Sequence, residues 1–269
     1  MKDTLKTLGF IAYGDIYEKA FSEIGCSLKV DFHAKKLIYP NEIKGRERNN
    51  GFDKKENFVV FECVCRLLSK GYRPEHIELE KEWHLGWGLL GPAAKGGRAD
   101  ICVTDTSGNM LFIIECKTWG REYDKALNNT KSDGAQLFSY WQQEQSCKWL
   151  VLYASDLRSG WIAYKAPTID CSDDANIILL SKKDKSIKLY RDAHTTSAKY
   201  EAWKETYGSQ IHDDLIFSED SVAYQIGVKP LRKKDLRDFT PDDKIVNKFE
   251  EILRHNNVSD KENAFNRLE

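Results

Sequence analysis

A chain of 269 residues with 41% hydrophobic and 31% charged side chains can bury a core, which excludes a wholly disordered polymer. Forty-one basic residues against forty-two acidic ones leave a net charge of −1, so no global excess of positive charge marks a nucleic-acid partner. No apolar run approaches the ~18–20 residues of a membrane span, and seven scattered cysteines and six dispersed histidines argue against a disulfide framework or a structural zinc site. The charged N-terminus Met1–Leu8 lacks a signal-peptide apolar stretch. A reducing, cytoplasmic setting and no membrane partner are therefore expected.

In chain order, Gly14–Glu23 is predicted as a short amphipathic helix, because Ile16, Ala20 and Ile24 recur one turn apart. Ser27–Tyr39 alternates and predicts a strand pair, and Lys44–Lys55 (KGRERNNGFDKK) is a charged loop. Glu56–Lys70 (ENFVVFECVCRLLSK) is apolar on most sides and stops at Gly71, which predicts a buried helix. Its interior acid Glu62 needs a partner, a cation or a wet cleft, since a lone buried carboxylate is costly.

Glutamates 78, 80 and 82 alternate through a predicted strand at Ile77–Trp83, and Gly86–Gly97 is a glycine-rich connection. It lacks the Gly-x-x-x-x-Gly-Lys-Ser/Thr pattern of a phosphate loop. Ala99–Thr104 and Met110–Lys117 form a predicted hairpin about the turn Asp105–Asn109. Thr118–Asp133 is polar and expected to be mobile, Gly134–Gln145 is a predicted helix, and Trp149–Ala154 is a short buried strand. Further strands are expected at 161–164, 176–181 and 187–190. The pattern predicts an α/β fold with a central mixed sheet flanked by helices.

The tail differs. Val228–Arg237 carries five bases in ten residues and reads as a basic linker. Thr240-Pro-Asp-Asp243 opens a C-terminal helix, with Ile245, Val246, Phe249, Ile252 and Leu253 on one stripe. A second capping box at Ser259–Glu262 is followed by only seven residues, the last Leu-Glu resembling a vector remnant. The chain is accordingly expected to be the front of a longer protein: a domain over 1–190, a linking segment over 191–227, and a basic linker leading into a helical extension over 228–269.

The chemistry gathers at the hairpin. Asp100, fourteen residues, then Glu115-Cys116-Lys117 place one acid on each strand, and antiparallel pairing brings both to one sheet edge. Glu115 and Lys117 are two apart and share a face. Adjacent carboxylates repel unless a cation lies between them, and oxygen ligands with open water positions suit Mg²⁺. An ammonium beside such a metal can orient or deprotonate water and steady charge on a phosphate. Strand-end acids with a surface lysine would look similar at this level.

Asp–(hairpin)–Glu-x-Lys resembles the PD-(D/E)XK nuclease superfamily. Gly97-Arg98-Ala99-Asp100 is similar to its first motif, with Ala99 in place of the eponymous proline, and Ile113–Lys117 to its second. Nineteen residues beyond Lys117, Gln136-Leu-Phe-Ser-Tyr140 resembles the Gln-x-x-x-Tyr element of the RecB-like branch, its two named residues on one helix face. The strings LIYPNEIKG, GRADICVTD, LFIIECKTWGREYDKAL and NNVSDKENAFNRL are similar to the N-terminal nuclease region of type I and related restriction-modification enzymes, in which an adenine methyltransferase often follows.

The resemblance implies a PD-(D/E)XK core and Mg²⁺-dependent (or Mn²⁺-dependent) hydrolysis of double-stranded DNA by an activated water. It implies that Asp100, Glu115 and the carbonyl of Cys116 hold the metal, with Glu62 bound directly or through water. Lys117 would assist the nucleophile, and Gln136 and Tyr140 would position the phosphate or Lys117. It implies as partners a downstream methyltransferase or helicase domain and a specificity domain or subunit. A non-cleaving DNA-binding or scaffold module of the same fold, or a nuclease acting on RNA or repair intermediates, are the alternatives. Tyr140 is equally placed to be core beside Phe138 and Trp141, and Lys95 and Arg98 to be either DNA-backbone contacts or a solvated loop.

Overall fold

A computed structural model describes residues 2–48, 50–84, 95–158, 160–171, 192–208 and 211–218. The chain divides into a unit Met1–Gly227 and a unit Val228–Glu269. The second unit, with its expected linker and helix, lies outside the described residues, as do the expected strands at 176–181 and 187–190 and most of the loop at 86–97.

Helix α1 (Lys2–Thr7) precedes an antiparallel sheet in the order β1 (Ile11–Tyr13), β2 (Ile16–Phe21), β3 (Cys26–Asp31) and β4 (Lys36–Ile38). Residues 14–23 therefore do not form the expected helix. Tyr17 and Phe21 are buried while Ile16 is 39% exposed, the reverse of the helical assignment. A four-residue recurrence is about one helical turn but also two strand repeats, so the spacing could not separate the two periods.

Helix α2 (Lys55–Ser69) follows, then the second sheet: β5 (Ile77–His84), β6 (Lys95–Thr104), β7 (Met110–Cys116), β8 (Trp149–Arg158), β9 (Trp161–Lys165), β10 (Thr168–Asp170) and β11 (Ile211–His212). Its order is β11-β10-β8-β7-β6-β5, with β9 paired to β8. The β7–β8 pair is parallel and the others antiparallel, which bears out a central mixed sheet with helices. The parallel pair needs a crossover, supplied by α3 (Arg121–Asp133) and α4 (Ala135–Gln143).

Every residue of β7 is buried because the sheet is covered on both faces. Phe112, Ile114 and Cys116, with Val151 and Tyr153 of β8, join the core under α2. Ile113, with Leu150 and Leu152, joins the core under α4. Helix α2 is apolar on most sides for the same reason, since Leu28, Val30 and Leu37 of the first sheet belong to its core too.

Two further expectations fail. Residues 121–133 are helix rather than a mobile loop: Tyr123, Ala126, Leu127 and Thr130 make a stripe at i, i+3, i+4 and i+7, and it packs on the α4-side core. Nor are residues 192–218 a linking segment. Helix α5 (Thr196–Ala202), N-capped by the Thr195 hydroxyl, runs into a π-helical turn at Trp203–Tyr207. Trp203 is fully buried against Phe138 at 4.7 Å between ring centroids. Gly134, at φ 78°, has no room for a side chain, since an added Cβ would lie 2.5 Å from the Trp203 ring. Among the described residues, no helix is long and apolar enough to cross a membrane.

Candidate functional site

The β6–β7 hairpin is set by its turn. The Asp105 carboxylate accepts from the backbone N–H groups of Ser107 and Asn109, both at 2.8 Å, and from the Asn109 amide at 3.0 Å. Register then places Ile101 against Ile114, so Asp100 and Glu115 are the next pair outward. The Cys116 N–H donates to Asp100 Oδ2 at 2.7 Å, holding the two acids across the open end of the hairpin.

Glu115 is 3% exposed, and both of its oxygens are engaged. Lys117 Nζ lies 2.5 Å from Oε1, and the Tyr140 hydroxyl lies 2.8 Å from Oε2. That hydroxyl is also 2.7 Å from the Arg98 carbonyl, so its one proton serves two acceptors in turn. Gln136 Nε2 donates to the same hydroxyl at 3.4 Å. Tyr140 is thus both a core residue, stacked on Trp83 at 5.6 Å, and a site residue through its hydroxyl. Gly97 of the first motif lets the ring in, since a Cβ there would sit 2.5 Å from Tyr140 Cε1.

Electrostatics follow from burial. Burial, then the charge of Glu115, pushes the Asp100 carboxyl well above the usual carboxylate range. Burial also raises Glu115, against the lowering effect of Lys117. Burial disfavours the Lys117 ammonium, yet Glu115, Asp100 and Glu56 together raise its pKa. The Tyr140 hydroxyl is pushed up by burial and by Glu115. Burial and mutual repulsion thus favour the protonated carboxyls, and a cation beside the pair would favour their charged forms.

The structure therefore brings together Asp100, Glu115, Cys116, Lys117, Gln136 and Tyr140, but not Glu62. Glu62 Oε1 lies 2.5 Å from Arg66 Nε, and its Oε2 accepts from the buried Tyr153 hydroxyl at 2.5 Å. Here this acid, expected to reach the metal directly or through water, is engaged by an ion pair and a tyrosine. The α2 acid that reaches the site is Glu56, with Oε1 3.4 Å from Lys117 Nζ. Six residues turn an α-helix by about 600°, so the two glutamates project about 120° apart round the axis.

A cavity of about 240 Å³ opens on Glu115, Lys117 and Gln136 and is closed by Glu122, Lys125 and Asn129 of α3. Sequence reasoning missed these three because it left α3 without structure; the stripe of Tyr123, Ala126, Leu127 and Thr130 was the available signal. Arg98 is committed to an ion pair with Glu80 and lies 4.0 Å from Glu82. The side chain of Lys95 lies outside the described residues.

Among the described residues, no group of three or more His, Cys, Asp or Glu side chains gathers as a metal site. Two adjacent carboxylates remain, and Asp100 Oδ1 takes no hydrogen bond among the described residues, while only Oδ2 is held. Hard oxygen donors in this number fit Mg²⁺, which keeps several of its waters. In comparisons with known proteins, no family model matches the chain and no curated protein matches it.

Proposed function

We propose that this α/β domain is a PD-(D/E)XK nuclease core, the DNA-cleaving module of a cytoplasmic restriction-modification enzyme. The observation that carries the reading is the meeting of Asp100, Glu115 and Lys117 at one open hairpin end, with the Tyr140 hydroxyl on Glu115. Asp100 and Glu115 would hold Mg²⁺ or Mn²⁺, with the Cys116 carbonyl as a further ligand. The ion when bound supplies Lewis-acid polarisation of the phosphate and a more acidic water.

The residues of this chain do the rest. The Cys116 N–H aims Asp100, and the Tyr140 hydroxyl, steadied by Gln136, fixes the rotamer of Glu115. The Lys117 ammonium stands where charge grows on the phosphate and lowers its energy there. Water attacks phosphorus in line and gives up a proton to solvent, and the opposite P–O bond breaks as the leaving oxygen takes up a proton from solvent, with no covalent enzyme intermediate. Double-stranded DNA is the proposed substrate, and a methyltransferase or helicase domain with a specificity element the proposed companions.

One observation favours a second reading, a non-cleaving DNA-binding module: Lys117 already neutralises Glu115 without a metal. Plasmid nicking in Mg²⁺ and in Mn²⁺ separates the two. The nuclease reading expects cleavage that EDTA stops and that Asp100→Ala and Lys117→Ala each reduce by at least a hundredfold. Wild-type cleavage by either variant refutes the mechanism, and metal titration without heat, alongside DNA binding, supports the second reading.

A further inference from the structure

The second sheet continues past the candidate site. In the parallel β7–β8 pair Cys116 lies level with Tyr153, and β7 stops there. Strand β8 runs on through Ala154–Arg158 and pairs back with β9. Five residues at ~3.3 Å each carry this hairpin about 16 Å beyond the end of β7. Alternation decides what its two faces carry. Glu115 is level with Leu152, so Asp156 and Arg158 share the face of Glu115 and Lys117. Lys165 is paired with Ala154, which places it on that face as well.

The two cations on this face are held from outside the hairpin. The Arg158 guanidinium lies 4.8 Å and the Lys165 ammonium 4.9 Å from the ring of Trp119, two residues beyond Lys117. Lys165 also lies 4.8 Å from the Tyr123 ring of α3, the helix that closes the site cavity. Long basic side chains steadied in this way lose less freedom when an anion arrives. Asp156 sits 3.3 Å from Arg158, and both side chains are about half exposed. An exposed pair of this kind is weak, so a phosphate can take the place of the carboxylate. Among the described residues no other carboxylate is within ion-pair distance of either cation.

We infer that the projecting β8–β9 hairpin is a wing for double-stranded DNA, on which Arg158 and Lys165 hold two backbone phosphates of the strand that passes Glu115 and Lys117. Two features carry the inference: the wing continues the very face that bears the site, and its cations are preorganised and complementary to phosphate. Contacts of this type set the register and orientation of a duplex without reading its bases. The chain as a whole has no excess of positive charge, so binding depends on cations gathered locally. The inference rests on the reading of the site as a DNA nuclease and adds where the substrate lies.

Fluorescence anisotropy of the full chain with a labelled DNA duplex in EDTA, read across a salt series, tests this without cleavage. Arg158→Ala with Lys165→Ala should weaken binding at least tenfold at low salt and reduce the slope of log K against log salt by about two. Lys29→Ala with Lys36→Ala, on the first sheet, should keep the wild-type affinity and slope. Trp119→Ala retains both charges and should weaken binding only about two- to fivefold, at an unchanged slope. Circular dichroism checks the fold of each variant. Wild-type affinity and slope in the Arg158 and Lys165 double variant overturn the inference, and nicking that still requires Asp100 would leave the nuclease reading standing in that event. A loss confined to an RNA duplex of the same length overturns the choice of partner. No binding of DNA by wild type, together with no cleavage, overturns both readings.

Discussion

Substituting Glu62 separates a structural acid from a metal ligand. Its side chain is 6% exposed and that of Arg66 is 23% exposed, at 2.5 Å. Removing one member of a buried pair costs about 3–5 kcal/mol because the other charge is left uncompensated. Arg66 regains some water, so Glu62→Ala belongs at the low end, about 3 kcal/mol, with the orphaned Tyr153 hydroxyl included. For a folded unit of this size that lowers Tm by about 6–12 °C. The double substitution Glu62→Leu, Arg66→Leu should recover most of the loss, since well-packed apolar residues replace buried pairs at little cost. Urea unfolding followed by circular dichroism gives the stability, and calorimetric titration of Mg²⁺ below the melting range gives the metal affinity. Unchanged affinity with lowered stability is the expected result. A variant as stable as wild type that has lost Mg²⁺ affinity would refute the reasoning and return Glu62 to the metal.

Other consequences follow from the same contacts. Tyr140→Phe removes the hydroxyl shared by Glu115 and the Arg98 carbonyl, at a cost of about 1–3 kcal/mol in urea unfolding; nicking activity should fall further than stability alone explains, because Glu115 loses its anchor. Gly97→Ala drives a methyl against the Tyr140 ring and should lower activity at least tenfold, with the loss visible as altered near-ultraviolet circular dichroism. Trp203→Ala should cost about 3–5 kcal/mol, as for a buried aromatic elsewhere; a change below about 0.5 kcal/mol would show that residues 192–208 do not belong to the core. Glu56→Gln should leave Tm within about 1–2 °C, since its pair with Lys117 is half exposed, and should shift the pH profile of nicking.

Legibility varied with the kind of signal. The hairpin was readable because an apolar run, an Asp-Thr-Ser-Gly-Asn turn and a second run leave one pairing, and pairing alone places Asp100 beside Glu115. Gln136 and Tyr140 were singled out by the resemblance to a Gln-x-x-x-Tyr element, and helical spacing added only that they share a face. Residues 14–23 were misread because their spacing fits both periods. Helix α3 was misread because its stripe is short and lies in an otherwise polar segment, and residues 192–208 because Tyr200, Trp203 and Tyr207, although spaced i, i+3 and i+7, are too few to stand out from a polar stretch.

Local pattern and covalent order thus determine the mixed α/β class, the hairpin and the identity of its converging acids and lysine. Which helix acid joins them is a different matter. Glu56 and Glu62 are the same residue type on the same helix, and only the rotation of α2 against the sheet turns one toward Lys117 and the other toward Tyr153, whereas the Glu62–Arg66 pair is an i, i+4 contact within the helix. That rotation is set by packing of Val60, Phe61, Val64 and Leu68 between two sheets. Contacts between segments distant along the chain leave no trace in the spacing of either segment, so they are decided only when the core closes.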